Sequence, residues 1–200
     1  MGIKTNQNQR DHASFLQPAV HFLLQEANQT LKDLDAIAVT SGPGSYTGLR
    51  VGFASAKGLA YALDIPLISI ETTLVMSAAA LSNIKNEDVN LLCPMIDARR
   101  MEVFTVFYST GLEPLSTISA LILTPGSFVK QLESSRILFF GDGSPKWQTI
   151  CNHSNAVFME VKWNASNMVG LADKLFEQKN FSSLAYSVPG YVKEFHSTQI

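Results

Sequence analysis

Cysteine and histidine are scarce in this chain, and neither is spaced for metal or redox chemistry. The two cysteines, Cys93 and Cys151, form no CxxC pair. This argues for free thiols in a reducing compartment rather than a disulfide framework. The four histidines are His12, His21, His153 and His196. No HxxxH or HExxH spacing occurs, and a nine-residue separation on a helix puts His12 and His21 on opposite faces. A zinc or iron protease centre therefore has nothing to hold it. Charge is nearly balanced, with 15 Lys and Arg against 17 Asp and Glu. Such a surface has no general attraction for nucleic acid or anionic membrane. Long apolar runs are missing too. None approaches the ~20 residues of a membrane span, and Met1 to Asp11 is polar, without the core of a signal peptide. A cytoplasmic protein is expected.

What is present is an α/β pattern. Two hundred residues bury roughly 70% of the unfolded chain's surface, enough for one core or two small lobes. Phe15, Leu16, Ala19, Val20, Leu23 and Leu24 predict a first helix from about Ala13 to Ala27. A short buried strand follows over Ala36–Thr40, then a helix over Leu49–Leu63, a strand over Pro66–Ile70 and a helix over Leu74–Leu81. The polar stretch Ser82–Asn90 marks a lobe boundary. Beyond it, Leu91–Ile96 and Glu102–Tyr108 read as a hairpin around Asp97-Ala-Arg-Arg100. Pro125–Glu133 suits a helix with proline in its first turn. Ile137–Phe140 reads as a strand ending at Gly141-Asp-Gly143, and Asn164–Glu177 as the last helix.

The loop Ser41-Gly-Pro-Gly-Ser-Tyr-Thr-Gly-Leu-Arg50 joins the first strand to the second helix. Strand, glycine-rich turn and helix together aim backbone N–H groups at an anion. It is no P-loop, because Tyr46 stands where lysine must precede Thr47. It is no dinucleotide fingerprint, because Gly48 follows Gly42 and Gly44 one place too late. It is no Gly-x-Ser-x-Gly nucleophile elbow. Two readings remain: a phosphate loop using Ser41, Gly42, Gly44, Ser45, Thr47, Gly48 and Arg50, or a tight turn that lets the helix pack on the sheet.

The second helix carries small residues in two rows, Gly52, Ala56 and Ala60 on one, Ala54, Gly58 and Ala62 on the other. Small residues four apart permit close helix approach. Burial within the chain explains one row, and the other points to a helix arriving from outside. Phe15, Ala19, Phe22, Gly52, Ala56, Gly58 and Ala60 are the candidate interface residues. Around the hairpin turn, Asp97, Arg99 and Glu102 form either a solvated tip or a partner or nucleotide contact. Gly141, Asp142 and Gly143 form a second candidate turn.

The run Ser41–Gly52, with Ala56-Lys-Gly-Leu-Ala60, Ile65-Pro-Leu-Ile68, Ile96-Asp-Ala-Arg99, Glu102-Val103, Gly141-Asp-Gly143 and Pro189-Gly-Tyr-Val-Lys193, resembles the TsaB (YeaZ) family. The resemblance extends over essentially the whole chain. It implies the two-lobed actin/Hsp70/sugar-kinase (ASKHA) fold, with residues 1–85 in the first lobe and 86–200 in the second. It also implies a non-catalytic, glycoprotease-like subunit in making N6-threonylcarbamoyladenosine beside the tRNA anticodon, with Asp142 on an adenosine-side turn. The implied partners are a TsaD-like catalytic paralogue and a TsaE-like ATPase, with tRNA met indirectly. A homodimer is implied for the chain alone, the first two helices serving both associations. In the catalytic paralogue, metal-binding histidines follow the strand corresponding to Pro66–Ile70, where this chain has Glu71-Thr-Thr73. No metal is expected, and no cofactor beyond a weak or interfacial nucleotide. Family members open with a β-hairpin region carrying a phosphate turn, and this chain begins after it. The expectation is a misassigned start or a shortened chain, with Ala36–Thr40 left as an open edge. The competing reading is an ATP-dependent phosphotransferase or ATPase of the same fold, using the 41–48 loop.

Overall fold

The computed structural model describes residues 2–6, 11–84 and 88–192, apart from the side chain of His12. Its elements in chain order are α1 (His12–Glu26), β1 (Ile37–Gly42), α2 (Tyr46–Leu63), β2 (Leu67–Glu71), α3 (Thr72–Asn83), β3 (Leu91–Asp97), β4 (Glu102–Thr105), β5 (Tyr108–Ser109), β6 (Ser119–Ile122), α4 (Val129–Ser134), β7 (Ile137–Phe140), α5 (Ser144–Gln148), β8 (Ala156–Met159) and α6 (Val169–Glu177). No described helix is long and apolar enough to cross a membrane.

Two compact units form. One combines Met1–Thr72 with Asn164–Gly190, and the other spans Thr73–Trp163 with Tyr191–Ile200. The division thus falls at Thr72/Thr73, ahead of the boundary expected at 85/86, and residues 164–190 return to the first unit. The reason is packing. Met76, Ala79 and Ala80 of α3 are buried with Leu92, Leu138 and Phe140 of the second unit. In the first unit, Ser182 bridges Leu67 and its hydroxyl lies 2.6 Å from that of Ser69.

In the first unit, β1 and β2 pair in parallel, Ile37 opposite Leu67 and Val39 opposite Ser69. Ile37 and Val39 face α2, where Phe53, Ala56 and Ala60 are buried with Leu67. Helix α6 also packs on this sheet, and α1 packs on α2.

The second unit is built on a sheet ordered β6-β4-β3-β7-β8, with β5 also on β3. Pairing of β3 with β7 and of β7 with β8 is parallel. All four residues of β7 are buried, as a parallel strand covered on both faces should be. Leu138 and Phe140 meet α3, while Ile137 and Phe139 meet Leu132 of α4 and Trp147 of α5. The single strand expected over Glu102–Tyr108 is broken between β4 and β5. The break lies beside Pro94, which has no N–H for a ladder on that edge. There, β5 pairs Leu91 and Leu92, β4 pairs Met95 to Asp97, and the Thr105 hydroxyl bonds to the Pro94 carbonyl at 2.9 Å. Pro125 does not open a helix either. Ser127 donates its N–H to Thr124 O in a turn, and Phe128, at φ 62°, precedes α4. Burial of its ring against Phe107, Phe139 and Trp147 holds that conformation.

Candidate functional site

The glycine loop is shorter than its sequence suggests, because α2 starts at Tyr46 rather than Leu49 and takes Thr47 and Gly48 into its first turn. Ser45 is the N-cap, and its hydroxyl accepts the Gly48 N–H at 3.3 Å. One of the helix-end donors is thereby met within the chain. Gly42 has a φ of +110°, and a Cβ there would lie 2.9 Å from the Gly190 carbonyl oxygen. The Gly190 N–H donates to Ser41 O at 2.7 Å. Glycine at 42 is thus required for the close approach of the returning segment. Gly44, Ser45 and Thr47 are exposed beyond it. The Arg50 guanidinium stacks over the Tyr46 ring at 4.8 Å, a cation–π contact.

In the second unit, the two candidate turns come together. The β3–β4 hairpin pairs Asp97 with Val103, and Arg99 and Arg100 both take positive φ at its tip. The Asp142 carboxylate accepts the Asp97 N–H at 2.9 Å. Gly143 donates its N–H to Met95 O at 3.0 Å. Gly141, at φ +98°, leaves no room for a Cβ against the Met95 carbonyl, and at Gly143 a Cβ would lie 2.7 Å from Val103 Cγ1. Both glycines let the turn after β7 press against β3 and β4. Lys146, which sequence reasoning missed, completes the cluster. Its ammonium donates to Asp97 Oδ1 at 2.6 Å and to the Glu102 carbonyl at 3.2 Å. The Lys146 hydrogen bond, helped by the Arg99 N–H and both positive charges, holds the Asp97 carboxyl below its usual range against a smaller desolvation effect.

The helix rows separate cleanly. Ala56 and Ala60 are 6% and 0% exposed, packed with Phe53 and Leu67, and a Cβ on Gly52 would touch Val39. That row faces the sheet, so Gly52, Ala56 and Ala60 are withdrawn as surface contacts. Ala54, Gly58 and Ala62 are exposed, and nothing lies within 4 Å of a Cβ placed on Gly58. Beside them Tyr61 is 80% exposed. On α1, Phe15 and Ala19 are half-buried, while Phe22 is 41% exposed with the Lys4 ammonium 3.5 Å from its ring centre. Among the described residues no group of three or more His, Cys, Asp or Glu is placed to hold a metal ion. His196 and Lys193 lie outside the described residues.

The family model described as "TsaD: tRNA N6-adenosine threonylcarbamoyltransferase" matches residues 1–194. The chain is 30% identical over 207 residues to the tRNA threonylcarbamoyladenosine biosynthesis protein TsaB of Haemophilus influenzae, covering 96% of this chain and 85% of that protein. The chain belongs to the TsaB (YeaZ) family. It is also 40% identical to TsaB of Bacillus subtilis over 99 residues, which spans 50% of this chain and 41% of that protein's length. A solved structure, an uncharacterized Pseudomonas aeruginosa protein with similarity to peptidase YEAZ, superposes with a TM-score of 0.75 at 23% identity, covering 91% of this chain and 84% of that one. That likeness shows a shared fold.

Proposed function

We propose that this chain is a non-catalytic accessory subunit in forming N6-threonylcarbamoyladenosine on tRNA, and that it acts by binding a TsaD-like catalytic subunit. The observation that carries this reading is the 30% identity to a TsaB protein across 96% of the chain. The open row of α2 supports it physically. Ala54, Gly58 and Ala62 form an exposed row of small residues on which another helix can approach closely, with the exposed Tyr61 beside it in the same helix, and α1 exposes Phe22. Tyr61 and Phe22 are exposed aromatics, a residue class enriched at interfaces. The two-unit chain is the two-lobed actin-like fold in this reading, and the same strip makes the homodimer of the chain alone. A TsaE-like ATPase joins the complex, and tRNA is met through the catalytic subunit.

The turn cluster around Asp97 fits a supporting rather than a catalytic role. Asp97 and Asp142 are both engaged in holding the hairpin, one by Lys146 and one by a backbone N–H. Neither carboxylate is poised as one of a free acid–base pair.

Light scattering on the purified chain, alone and mixed with the catalytic subunit from the same organism, tests this. The expected result is a homodimer that the catalytic subunit converts to a mixed complex, because one strip serves one partner at a time. Unchanged homodimer in the mixture, with no mixed complex, overturns the proposal.

A further inference from the structure

Residues 182–190 of the first unit run as a strap from β2 to the end of β1. The Ile37 N–H donates to Pro66 O, so the backbone groups of Leu67 and Ser69 turn to the edge of β2 away from β1. Ser182 meets both, donating its N–H to Leu67 O at 2.8 Å and accepting the Ser69 N–H on its hydroxyl at 3.1 Å. Leu184 then packs on the cluster of Phe53, Ala56, Ala60 and Leu67. The Lys57 ammonium of α2 donates to the Ser187 carbonyl at 3.0 Å, and the Gly190 N–H closes on Ser41 O at 2.7 Å.

Fastened in this way, the strap turns Tyr186 and Val188 outward. They are 87% and 68% exposed, and Tyr61 of α2 is 80% exposed. Among the described residues these are the three most exposed large apolar side chains. Lys57 links them. Tyr186 and Val188 flank Ser187 in sequence, and Tyr61 lies one turn beyond Lys57 on the same helix face. Ala54 stands three residues before Lys57 and Gly58 three before Tyr61, so the open row borders the same surface.

The row alone is too small for a stable interface. Gly58 has no side chain, and Ala54 and Ala62 carry one methyl each. A specific interface buries about 800 Å² on each partner, whereas a single tyrosine can bury roughly 150–250 Å². Tyr61, Tyr186 and Val188 supply the apolar area that the row lacks. A catalytic subunit that displaces a second copy from the row must also make contacts the second copy does not, since equal contacts give no preference. The strap lies beside the row, where such added contacts are open.

We propose that Tyr186 and Val188 of the strap, with Tyr61, form an apolar docking surface for the catalytic subunit and not for a second copy of this chain. The matching face of the partner is apolar, with polar groups at its rim for the two phenol hydroxyls. This surface extends the accessory-subunit reading above and rests on it.

The test measures two affinities of the whole chain by analytical ultracentrifugation, one for the catalytic subunit from the same organism and one for itself. Tyr186→Ser/Val188→Ser should weaken the mixed complex about tenfold or more and leave self-association within about twofold of the parent. Tyr186→Phe keeps the ring and should bind within about threefold of the parent. Circular dichroism checks the fold, and Tyr186→Ala alone gives the same readout if the double variant fails to fold. Unchanged affinity for the catalytic subunit overturns the docking surface and leaves the accessory-subunit reading standing. A parent chain that forms no mixed complex overturns both. Equal weakening of self-association overturns the docking surface too, by assigning the strap to a second copy.

Discussion

The Lys146 ammonium lies 2.6 Å from Asp97 Oδ1, joining α5 to the end of β3 across 49 residues of sequence. This pair, with Asp142 on the Asp97 N–H, locks the β3–β4 hairpin to the turn after β7. Side-chain exposures of 19% for Lys146 and 38% for Asp97 keep it partly in water. Solvent screening therefore limits its contribution to at most about 1 kcal/mol.

The pair should be visible in the acid limb of stability. The folded state lowers the Asp97 carboxyl pKa from its ordinary 3.8. The stabilisation is therefore present above that value and lost as pH falls through the lower folded one. Asp97→Asn should unfold at lower urea than the parent at about pH 7, by no more than about 1 kcal/mol. The gap should shrink as the pH is taken well below the ordinary carboxylate value. A gap that is independent of pH would mean the aspartate acts through shape alone.

Two glycines should respond in opposite directions to the same substitution. Gly141 sits at φ +98° with the Met95 carbonyl where a Cβ would go, so Gly141→Ala should cost about 2 kcal/mol or more. Gly58 lies inside α2 with open space around it. Gly58→Ala should stabilise the monomer by about 0.5–1 kcal/mol. Thermal melts of the two variants beside the parent decide both.

Helix α2 should separate folding from association. Ala56→Glu puts a carboxylate among Phe53, Ala60 and Leu67 and should destabilise the fold by about 3 kcal/mol or more. Gly58→Leu adds bulk only to the open row, so the monomer should stay folded while self-association and binding to the catalytic subunit weaken together. Circular dichroism and light scattering on both proteins check this. Association unaffected by Gly58→Leu would place the interface elsewhere.

Metal and nucleotide chemistry give a further expectation. Purified chain should hold no stoichiometric zinc or iron by elemental analysis. Its ATP turnover should stay well below about 1 s⁻¹, the low end of the ordinary enzyme range. Turnover in that range, abolished by Thr47→Ala, would favour a phosphotransferase instead.

Much of this protein was decided locally and could be read residue by residue. Ile137–Phe140 is a continuous apolar run bounded by glycine, and it is a strand buried on both faces. The charged turn after Ile96 is a hairpin because two short strands flank it at hairpin distance. The glycine loop and its neighbours carry enough specific chemistry to point to the family. Other features had no local signal. Helix α5 is five residues long, too short for a hydrophobic period, so Lys146 could not be linked to Asp97 in advance. The strand expected after Glu102 breaks because Pro94, on a neighbouring strand, interrupts the shared ladder. The two small rows of α2 are nearly identical in composition, so nothing along the helix says which is buried. Only the docking of α2 on Ile37, Val39 and Leu67 chooses Gly52, Ala56 and Ala60 for the core and leaves Ala54, Gly58 and Ala62 outside. A helix dictates which residues share a face, but which face loses its water depends on what the rest of the chain brings against it.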